Sequence, residues 1–306
     1  QAEDGIRDCL LSRGLGDVYK RQNKYRILIL GASYGSLLGI KLALAEHDID
    51  LVCLPQEVEL INKEGAIVRL PIRDKDKVVE LRSTDCPGNL RALGPGDVDI
   101  STYDLIALAM QEPQYGAEEI AQLLKEIGLS KKPCMSIMNM PPLPYIARIE
   151  GLDTSKLDGA YTKADVWNYF DSNYMTLCSP DPQAFRPPDE NINVLQVGLP
   201  TNFKAARFES DQHTQILRDL QIDIEKIKYD LDGDMIDLPV KLKVHDSIFV
   251  PLAKWSMLLS GNYRCVKEEN AVAIKEAVHT DLKHSEEIYN WVGAIARKLG
   301  AIDSCL

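Results

Sequence analysis

The sequence predicts an α/β fold in which a doubly wound, mainly parallel sheet precedes an all-helical C-terminal domain. Two observations support this prediction. Residues 25–55 contain an apolar run, a glycine-bearing turn, a helical stretch and a second apolar run, and a βαβ unit of this length forces its strands to be parallel. Apolar runs and amphipathic helices then alternate as far as residue 243, whereas the later residues show only helical periodicity.

The first βαβ unit contains the most informative turn of the chain. The run 27–30 is typical of a strand that is buried on both faces, and the run 49–54 supplies the second strand. Between them, the turn 31–36 opens a helix whose N-terminus presents free N–H groups and the positive end of the helix dipole. We therefore predict that this turn binds the diphosphate of a dinucleotide.

The other elements follow from periodicity and from breaks at glycine and proline. Strands are predicted at 66–72, 78–82, 103–110, 133–138 and 193–199. Helices are predicted at 57–63, at 117–127 with Gly128 past its end, from the cap Ser210 to residue 227, and at 247–261, 271–279 and 281–299. The stretch 85–96 reads as turns, and most of 151–200 reads as a loose connection.

Residues 1–22 are set apart from the fold. They resemble translated sequencing adapter, so we interpret them as an artefactual leader, with a genuine N-terminal arm as the alternative. The four acidic and four basic residues of the leader cancel, so the net charge of −11 belongs to the rest of the chain. We expect a dinucleotide-binding domain at 23–243 and a helical substrate domain at 244–306, whose early stop suggests truncation.

The composition argues against several classes of protein. The excess of 46 acidic over 35 basic side chains disfavours a nucleic-acid groove or an anionic membrane surface. No apolar run approaches the roughly 18 residues of a membrane-spanning helix. The cysteines lack C-x-x-C pairs and the histidines lack ligand spacing, so we predict neither a disulfide framework nor a metal site. We expect a cytoplasmic protein with a small-molecule substrate, and a homodimer stays an open question.

The turn 31–36 is a degenerate match to the dinucleotide fingerprint G-x-G-x-x-G. Gly31 fits the first glycine, but the position of Gly35 leaves the loop one residue short, with Ser33 near the middle position. A βα turn without a ligand is one alternative. The same letters spell G-x-S-x-G, the nucleophile elbow of α/β hydrolases, with Ser33 as the nucleophile. Too few residues precede Gly31 to supply the earlier strands and the oxyanion loop that an elbow requires.

Lys254 is the only charged residue between Asp246 and Arg264, in a stretch that is otherwise apolar and helical. Such a lysine either snorkels to the surface or is partly desolvated, and desolvation would lower its pKa toward a value useful for proton transfer. Asn262 would lie within about 80° of the same helix face. Asn139 ends a predicted strand, where it either faces a ligand or forms an Asx turn.

Four segments together resemble the ketopantoate reductase family of 6-phosphogluconate-dehydrogenase-like oxidoreductases. They are LGASYGSLLGIKLALAEHDIDLV, YDLIALAMQEPQY, MSIMNMPP and LAKWSMLLSGNY. The resemblance spans roughly residues 25–300 and is thin between 150 and 240. It implies that Lys254 protonates the substrate carbonyl as hydride arrives, that Asn139 lies beside the nicotinamide, and that Asn262 holds the substrate.

The chain departs from the family pattern at the substrate and at the cofactor. Leu258 replaces the first of two helix asparagines, which removes a substrate hydrogen bond. The arginine and the lysine that usually grip the NADP phosphate are replaced by Pro55 and Gln56 and by Gln111. Glu57 could instead accept a ribose hydroxyl, which would favour NAD, or it could be a carboxylate that complements its helix dipole.

We therefore predict an NAD(P)H-dependent reductase of a small 2-oxo acid or related carbonyl, with Lys254 as general acid and with Asn139 and Asn262 orienting the substrate. The cofactor would be NADP or NAD. The residues predicted to contact it are Gly31, Ala32, Ser33, Tyr34, Gly35, Ser36, Gln56, Glu57, Met110 and Gln111. The alternatives are a non-catalytic dinucleotide-binding or sensing protein, an opine-type dehydrogenase, and an α/β serine hydrolase using Ser33.

Overall fold

A computed structural model describes residues 23–302 of the chain, so the predicted leader 1–22, Cys305 and the predicted truncation at Leu306 lie outside the described residues. The strands are β1 Arg26–Leu30, β2 Asp48–Val52, β3 Ile67–Ile72, β4 Lys77–Arg82, β5 Asn89–Leu93, β6 Leu105–Leu108, β7 Cys134–Ile137, β8 Met175–Ser179, β9 Gln183–Phe185, β10 Val194–Leu199, β11 Phe203–Ala206, β12 Lys228–Leu231, β13 Asp234–Asp237 and β14 Leu242–His245. The helices are α1 Tyr34–Leu44, α2 Pro55–Glu64, α3 Glu118–Ser130, α4 Leu143–Ile146, α5 Asp211–Lys226, α6 Ile274–His279 and α7 Leu282–Lys298. The stretch 250–265, called the lysine segment, is a run of short 3-10, α and π turns.

Eight strands form the main sheet, in the order β14-β11-β8-β7-β6-β1-β2-β5. All neighbours pair in parallel except β8 and β11, which are antiparallel. Helices α1 and α5 pack on one face and α3 packs on the other. Strand β1 shows why its run is apolar throughout, because Ile27 and Ile29 enter one core while Leu28 and Leu30 enter the other. The predicted doubly wound sheet is therefore confirmed.

A second sheet of four strands, ordered β4-β3-β10-β9, packs against the outer side of α1. The strands predicted at 66–72, 78–82 and 193–199 are correct, but they belong to this second sheet. Alternation of apolar residues identifies a strand without identifying its partners, since pairing depends on residues distant in sequence. Helix α1 is consequently enclosed between two sheets, and nine of its eleven residues are buried.

Several parts of the fold differ from the prediction. Strand β5 lies in the stretch predicted as turns, and β8 lies in the stretch predicted as a loose connection. Helix α3 continues past Gly128, which packs against the backbone of Tyr169, and it ends at Lys131 with a left-handed cap. The helix predicted at 247–261 is not a regular α-helix, because π and 3-10 turns interrupt it. Within residues 23–302, no helix combines the length and apolar character needed to cross a bilayer.

Lys41 lies within α1 and is 1% exposed. Its Nζ donates to the carbonyl oxygen of Pro239 over 3.1 Å. Desolvation, with a smaller contribution from Lys241, lowers the pKa of this ammonium to about 7. The folded-state pKa is below that of the unfolded chain, so the unfolded state binds more protons between about pH 7 and 10. The contribution of Lys41 to the free energy of unfolding therefore rises with pH across that window.

Relative to a Lys41→Met variant, the wild-type protein is expected to gain about 2 kcal/mol of unfolding free energy between pH 7 and pH 9. Denaturant titrations of both proteins at the two pH values measure this difference. Lys63→Met is the control, because Lys63 lies on the exposed side of α2. Parallel pH dependences of wild type and Lys41→Met would contradict the prediction.

Candidate active site at the carboxyl edge of the main sheet

The ends of four neighbouring parallel strands lie along one edge of the main sheet. Gly31 follows β1, Met110 follows β6, Asn139 follows β7 and Pro180 follows β8. The strand order reverses between β1 and β6, and open α/β sheets bind their ligands at such a switch point. Neighbouring strands lie about 4.8 Å apart, so Gly31 and Asn139 are separated by roughly 10 Å along this edge.

The turn after β1 requires glycine at its first position. Gly31 has a φ of +103°, and a Cβ there would lie 2.7 Å from Cγ of Met110 and 2.8 Å from the carbonyl oxygen of Ala109. The amide of Gly31 donates to Val52 on β2 over 2.8 Å, which fixes the turn between the strands. The close approach of backbone to β6 is the reason that a larger residue does not fit.

The N-terminus of α1 is suited to an anion. Its N-cap, Ser33, makes no side-chain capping hydrogen bond, and the first turn of the helix contains no acidic residue. The first amides of an α-helix have no intrahelical acceptor, and the helix dipole makes this end positive. The amides that follow Gly31 can therefore hold a diphosphate, as the sequence analysis predicts.

Replacing Gly31 with alanine is expected to abolish dinucleotide binding and to lower the unfolding free energy by about 1–3 kcal/mol, because the new Cβ overlaps the chain after β6. Gly159→Ala is the matched control, since nothing lies within 4 Å of a Cβ at that position. Calorimetric titration with NADPH and thermal unfolding measure the two effects. Unchanged coenzyme affinity in a folded Gly31→Ala protein would remove this turn from the binding site.

Most of the remaining residues of the turn are packed within the fold. Ala32 and Ser36 are buried, and the hydroxyl of Ser36 donates to the carbonyl oxygen of Ala32. Gly35 packs against Ile29, where a Cβ would approach Cγ2 to 2.9 Å. In the described part of the chain no histidine is hydrogen-bonded to Ser33, so the elbow lacks the base that would activate its serine.

Lys254 is partly desolvated rather than exposed. Its side chain is 11% exposed, its Nζ donates to the carbonyl oxygen of Pro180 over 2.7 Å, and Asp181 Oδ1 lies 3.6 Å away. Burial lowers the pKa of this ammonium below its ordinary value, and the carboxylate of Asp181 opposes that shift. Asp181 also accepts from the hydroxyl of Ser179 and pairs with Lys204 Nζ at 3.2 Å.

Lys254 and Asn139 lie beside neighbouring strand ends. The pair Ile137–Cys178 is the last in register between β7 and β8, and Asn139 and Pro180 each follow that pair by two residues. In addition, Trp255 Nε1 donates to the backbone oxygen of Asn139 over 3.1 Å. The lysine segment thus contacts the edge of the sheet through Lys254 and Trp255, and it does so beside Asn139.

Two asparagine side chains, Asn139 at this edge and Asn262 in the lysine segment, have buried oxygen atoms without a partner in residues 23–302. Within residues 23–302, neither Asn139 Oδ1 nor Asn262 Oδ1 has a hydrogen-bond partner. An unpaired buried polar atom costs free energy, which makes such atoms candidates for contact with a ligand. The Asx turn considered for Asn139 is not formed by this oxygen. Asn262 ends a π turn, so the angle of about 80° that assumes a regular α-helix does not apply to it.

A short bridging segment, residues 180–186, contacts Lys254, the start of α1 and the start of α2. Pro180 accepts from Lys254, and the carbonyl oxygen of Pro182 accepts from the hydroxyl of Tyr34 over 2.9 Å. At its far end, Arg186 forms an ion pair with Glu57. The contacts of this segment are not evident from the sequence, because its residues belong to a proline-rich stretch that is typical of a loop.

Glu57 has a different environment from the one predicted. It is buried, its Oε2 accepts from the amide of Leu54 over 3.0 Å, and its Oε1 pairs with Arg186. Both oxygens are therefore engaged, which supports the capping interpretation over a contact with ribose. Gln56 beside it is exposed. Gln111 precedes the short turn after β6, and its backbone amide donates to Oε1 of Gln114 over 2.8 Å.

The described residues 23–302 contain no cluster of three or more histidine, cysteine or acidic side chains arranged for a metal ion. The fit to a dinucleotide is better. The turn offers a helix N-terminus without a side-chain cap or an acidic residue, Asn139 offers an unpaired buried oxygen, and Lys254 offers a desolvated cation. The layered sheet, the switch point and the glycine turn together define an α/β fold of the Rossmann type.

Solved structures define the fold more narrowly. A 2-dehydropantoate 2-reductase from Methylococcus capsulatus is similar with a TM-score of 0.55 and 13% identity, over 89% of this chain and 73% of that chain. A protein from Ralstonia solanacearum MolK2, provisionally named a ketopantoate reductase, has a TM-score of 0.52 and 14% identity. That match covers 77% of this chain and 66% of the other, just under two thirds of its length.

This chain therefore has the ketopantoate reductase fold, and the resemblance read from its four segments is confirmed at the level of the fold. No protein-family model matches the sequence, and no curated protein matches it. A fold accommodates many activities, so the function has to be argued from the chemistry of the site.

Proposed function

We propose that this protein is an NAD(P)H-dependent reductase of a 2-oxo acid or related carbonyl compound. The observation that supports this most is the Lys254 ammonium, which is desolvated and lies one strand away from Asn139 at the carboxyl edge of the sheet. A dinucleotide whose diphosphate occupies the turn after Gly31 would extend along this edge. Its nicotinamide end would then meet Asn139 and Lys254.

The bound nicotinamide would supply the hydride, and the chain's own residues would supply the proton. As hydride reaches the carbonyl carbon, Lys254 Nζ donates a proton to the carbonyl oxygen, and the product is an alcohol. Low exposure strengthens this contact, because developing negative charge on the oxygen meets a fixed cation away from water. Lys254 would have to exchange its bond to Pro180 for one to the substrate, with Asp181 remaining close by.

The residues where the adenosine end of the cofactor would lie favour NADP over NAD. Arg186 carries a guanidinium to the N-terminal turn of α2, directly after β2, although no arginine follows β2 in the sequence. Its side chain is 31% exposed, and its Nη2 pairs with Oε1 of Glu57. A guanidinium in this place can bind the 2′-phosphate of NADP, whereas the carboxylate that would select NAD is already occupied.

One observation favours a second candidate, a non-catalytic dinucleotide-binding protein. The Lys254 ammonium is satisfied by a backbone carbonyl and a carboxylate within the chain, and Leu258 provides no polar group beside it.

A panel of 2-oxo acids, each tested with NADPH and NADH and with or without added amines, separates the candidates. Turnover of at least one acid supports the reductase, and turnover that requires an amine supports the opine type. Coenzyme binding without any turnover would leave the non-catalytic protein.

A further inference from the structure

An apolar cavity of about 450 Å³ adjoins the proposed reaction site. Its walls come from three parts of the chain: the stretch after β7 that includes α4, the lysine segment with the preceding Phe249, and the C-terminal helix α7. Cavities that bind small molecules commonly have volumes of about 300–1,000 Å³. Representative side chains from the three walls are Met140, Phe249, Trp255, Leu259, Trp291 and Ile295.

The walls of this cavity offer almost nothing to a polar ligand. No charged side chain lines it, and the hydroxyl of Tyr161 already donates to the carbonyl oxygen of Pro141 over 2.6 Å. The indole N–H of Trp255 is likewise used, by the backbone of Asn139. A charged or polar group placed here would lose its hydration without replacement, whereas an apolar group would gain free energy.

Two residues that line the cavity are chain neighbours of the proposed reaction residues. Trp255 lines it and immediately follows Lys254, and Met140 lines it and immediately follows Asn139. Asn139, whose Oδ1 is buried and unpaired, and Lys254 are therefore each one residue along the chain from the cavity wall. A molecule with a compact polar head and a large apolar tail matches this arrangement.

We propose that the substrate is a 2-oxo acid with a bulky apolar side chain, aromatic or branched, which occupies this cavity while its oxo-acid head meets Lys254 and Asn139. The inference rests on the proposed reductase function and specifies its substrate class. Leu258, which is buried where the resemblance implies an asparagine, is consistent with an apolar substrate. The reduction is balanced: the 2-oxo acid gains a hydride from NAD(P)H and a proton from Lys254, and it becomes a 2-hydroxy acid.

The test compares kcat/KM for pyruvate, 4-methyl-2-oxopentanoate, phenylpyruvate and 2-oxoglutarate at saturating NADPH. The two apolar acids are expected to exceed pyruvate by about 100-fold, because each buried methylene adds to transition-state binding, and 2-oxoglutarate should be the poorest. Equal values for all acids, or a preference for pyruvate or 2-oxoglutarate, would overturn the inference while leaving the reductase in place. No turnover of any acid would overturn the reductase proposal and this inference with it.

Cavity-filling variants locate the binding site. Ala296→Phe on α7 and Ala160→Phe on the opposite wall are each expected to lower kcat/KM for phenylpyruvate at least 10-fold, with pyruvate changed less than about threefold. Ala294→Phe is the matched control, since Ala294 is an exposed residue of α7 outside the cavity. The association state of the same variants is measured by analytical sedimentation. If filling the cavity changes the association state but not the selectivity, the cavity is a contact between copies and the inference fails.

Discussion

Replacing Lys254 with methionine is expected to lower kcat about 10²–10⁴-fold while coenzyme affinity stays within about threefold. Methionine keeps the volume of the side chain but removes the proton that the carbonyl oxygen must receive. The loss should fall on kcat, because the ammonium acts on charge that develops only in the transition state. Steady-state kinetics with NADPH and the best 2-oxo acid, together with calorimetric titration of the coenzyme, separate the two effects.

Two variants control for structural effects of this change. Lys204→Met removes the other ammonium that pairs with Asp181, at a more exposed position, and turnover should stay within about threefold. Lys254→Arg keeps the positive charge but not a readily transferable proton, so it should bind coenzyme and remain nearly inactive. Full turnover in Lys254→Met, or an equal loss in Lys204→Met, would show that Lys254 is not the proton donor.

Replacing Arg186 with glutamine is expected to weaken NADPH binding about 10–100-fold and to leave NADH binding within about threefold. A guanidinium–phosphate contact is charge-assisted and is worth more than a neutral hydrogen bond. NADH lacks the 2′-phosphate, so it tests whether the site is otherwise intact. Dissociation constants for both coenzymes, measured with wild type and variant at the same ionic strength, give the result.

Arg82→Gln is the control for Arg186, because Arg82 pairs with Glu80 on β4 of the same second sheet. Neither coenzyme should be affected by that change. Loss of Arg186 also leaves the buried carboxylate of Glu57 without its cation, so thermal unfolding should accompany the titrations. An equal loss of NADPH and NADH affinity would make Arg186 a structural partner of Glu57 rather than a phosphate ligand.

The sequence predicts those parts of the fold that depend on local pattern. The buried strand at 27–30, the glycine turn and the capped helix after Ser210 are all present, and Ser210 accepts from the amide of His213. Strands β5 and β8 were missed, since β5 lies between turn residues rich in glycine and proline, and β8 is followed closely by prolines. The second sheet was missed because pairing is a property of distant residues.

The site was predictable to a similar extent. Gly31 and Lys254 stand out because each breaks its local pattern, one as a glycine after a strand and the other as a charge in an apolar stretch. Asp181 and Arg186 do not stand out, because both lie in a polar, proline-rich segment that is positioned only by tertiary contacts. The ion pair of Arg186 with Glu57 is the reason that we propose NADP, whereas Glu57 read from the sequence alone favours NAD.

The central claim is that the amides after Gly31 hold a dinucleotide whose reactive end meets Lys254. Calorimetric titration of the protein with NADPH tests it most directly. We expect one molecule to bind per chain, with micromolar affinity that Gly31→Ala abolishes and Gly159→Ala retains. No heat of binding with either NADPH or NADH at millimolar concentration would contradict the account.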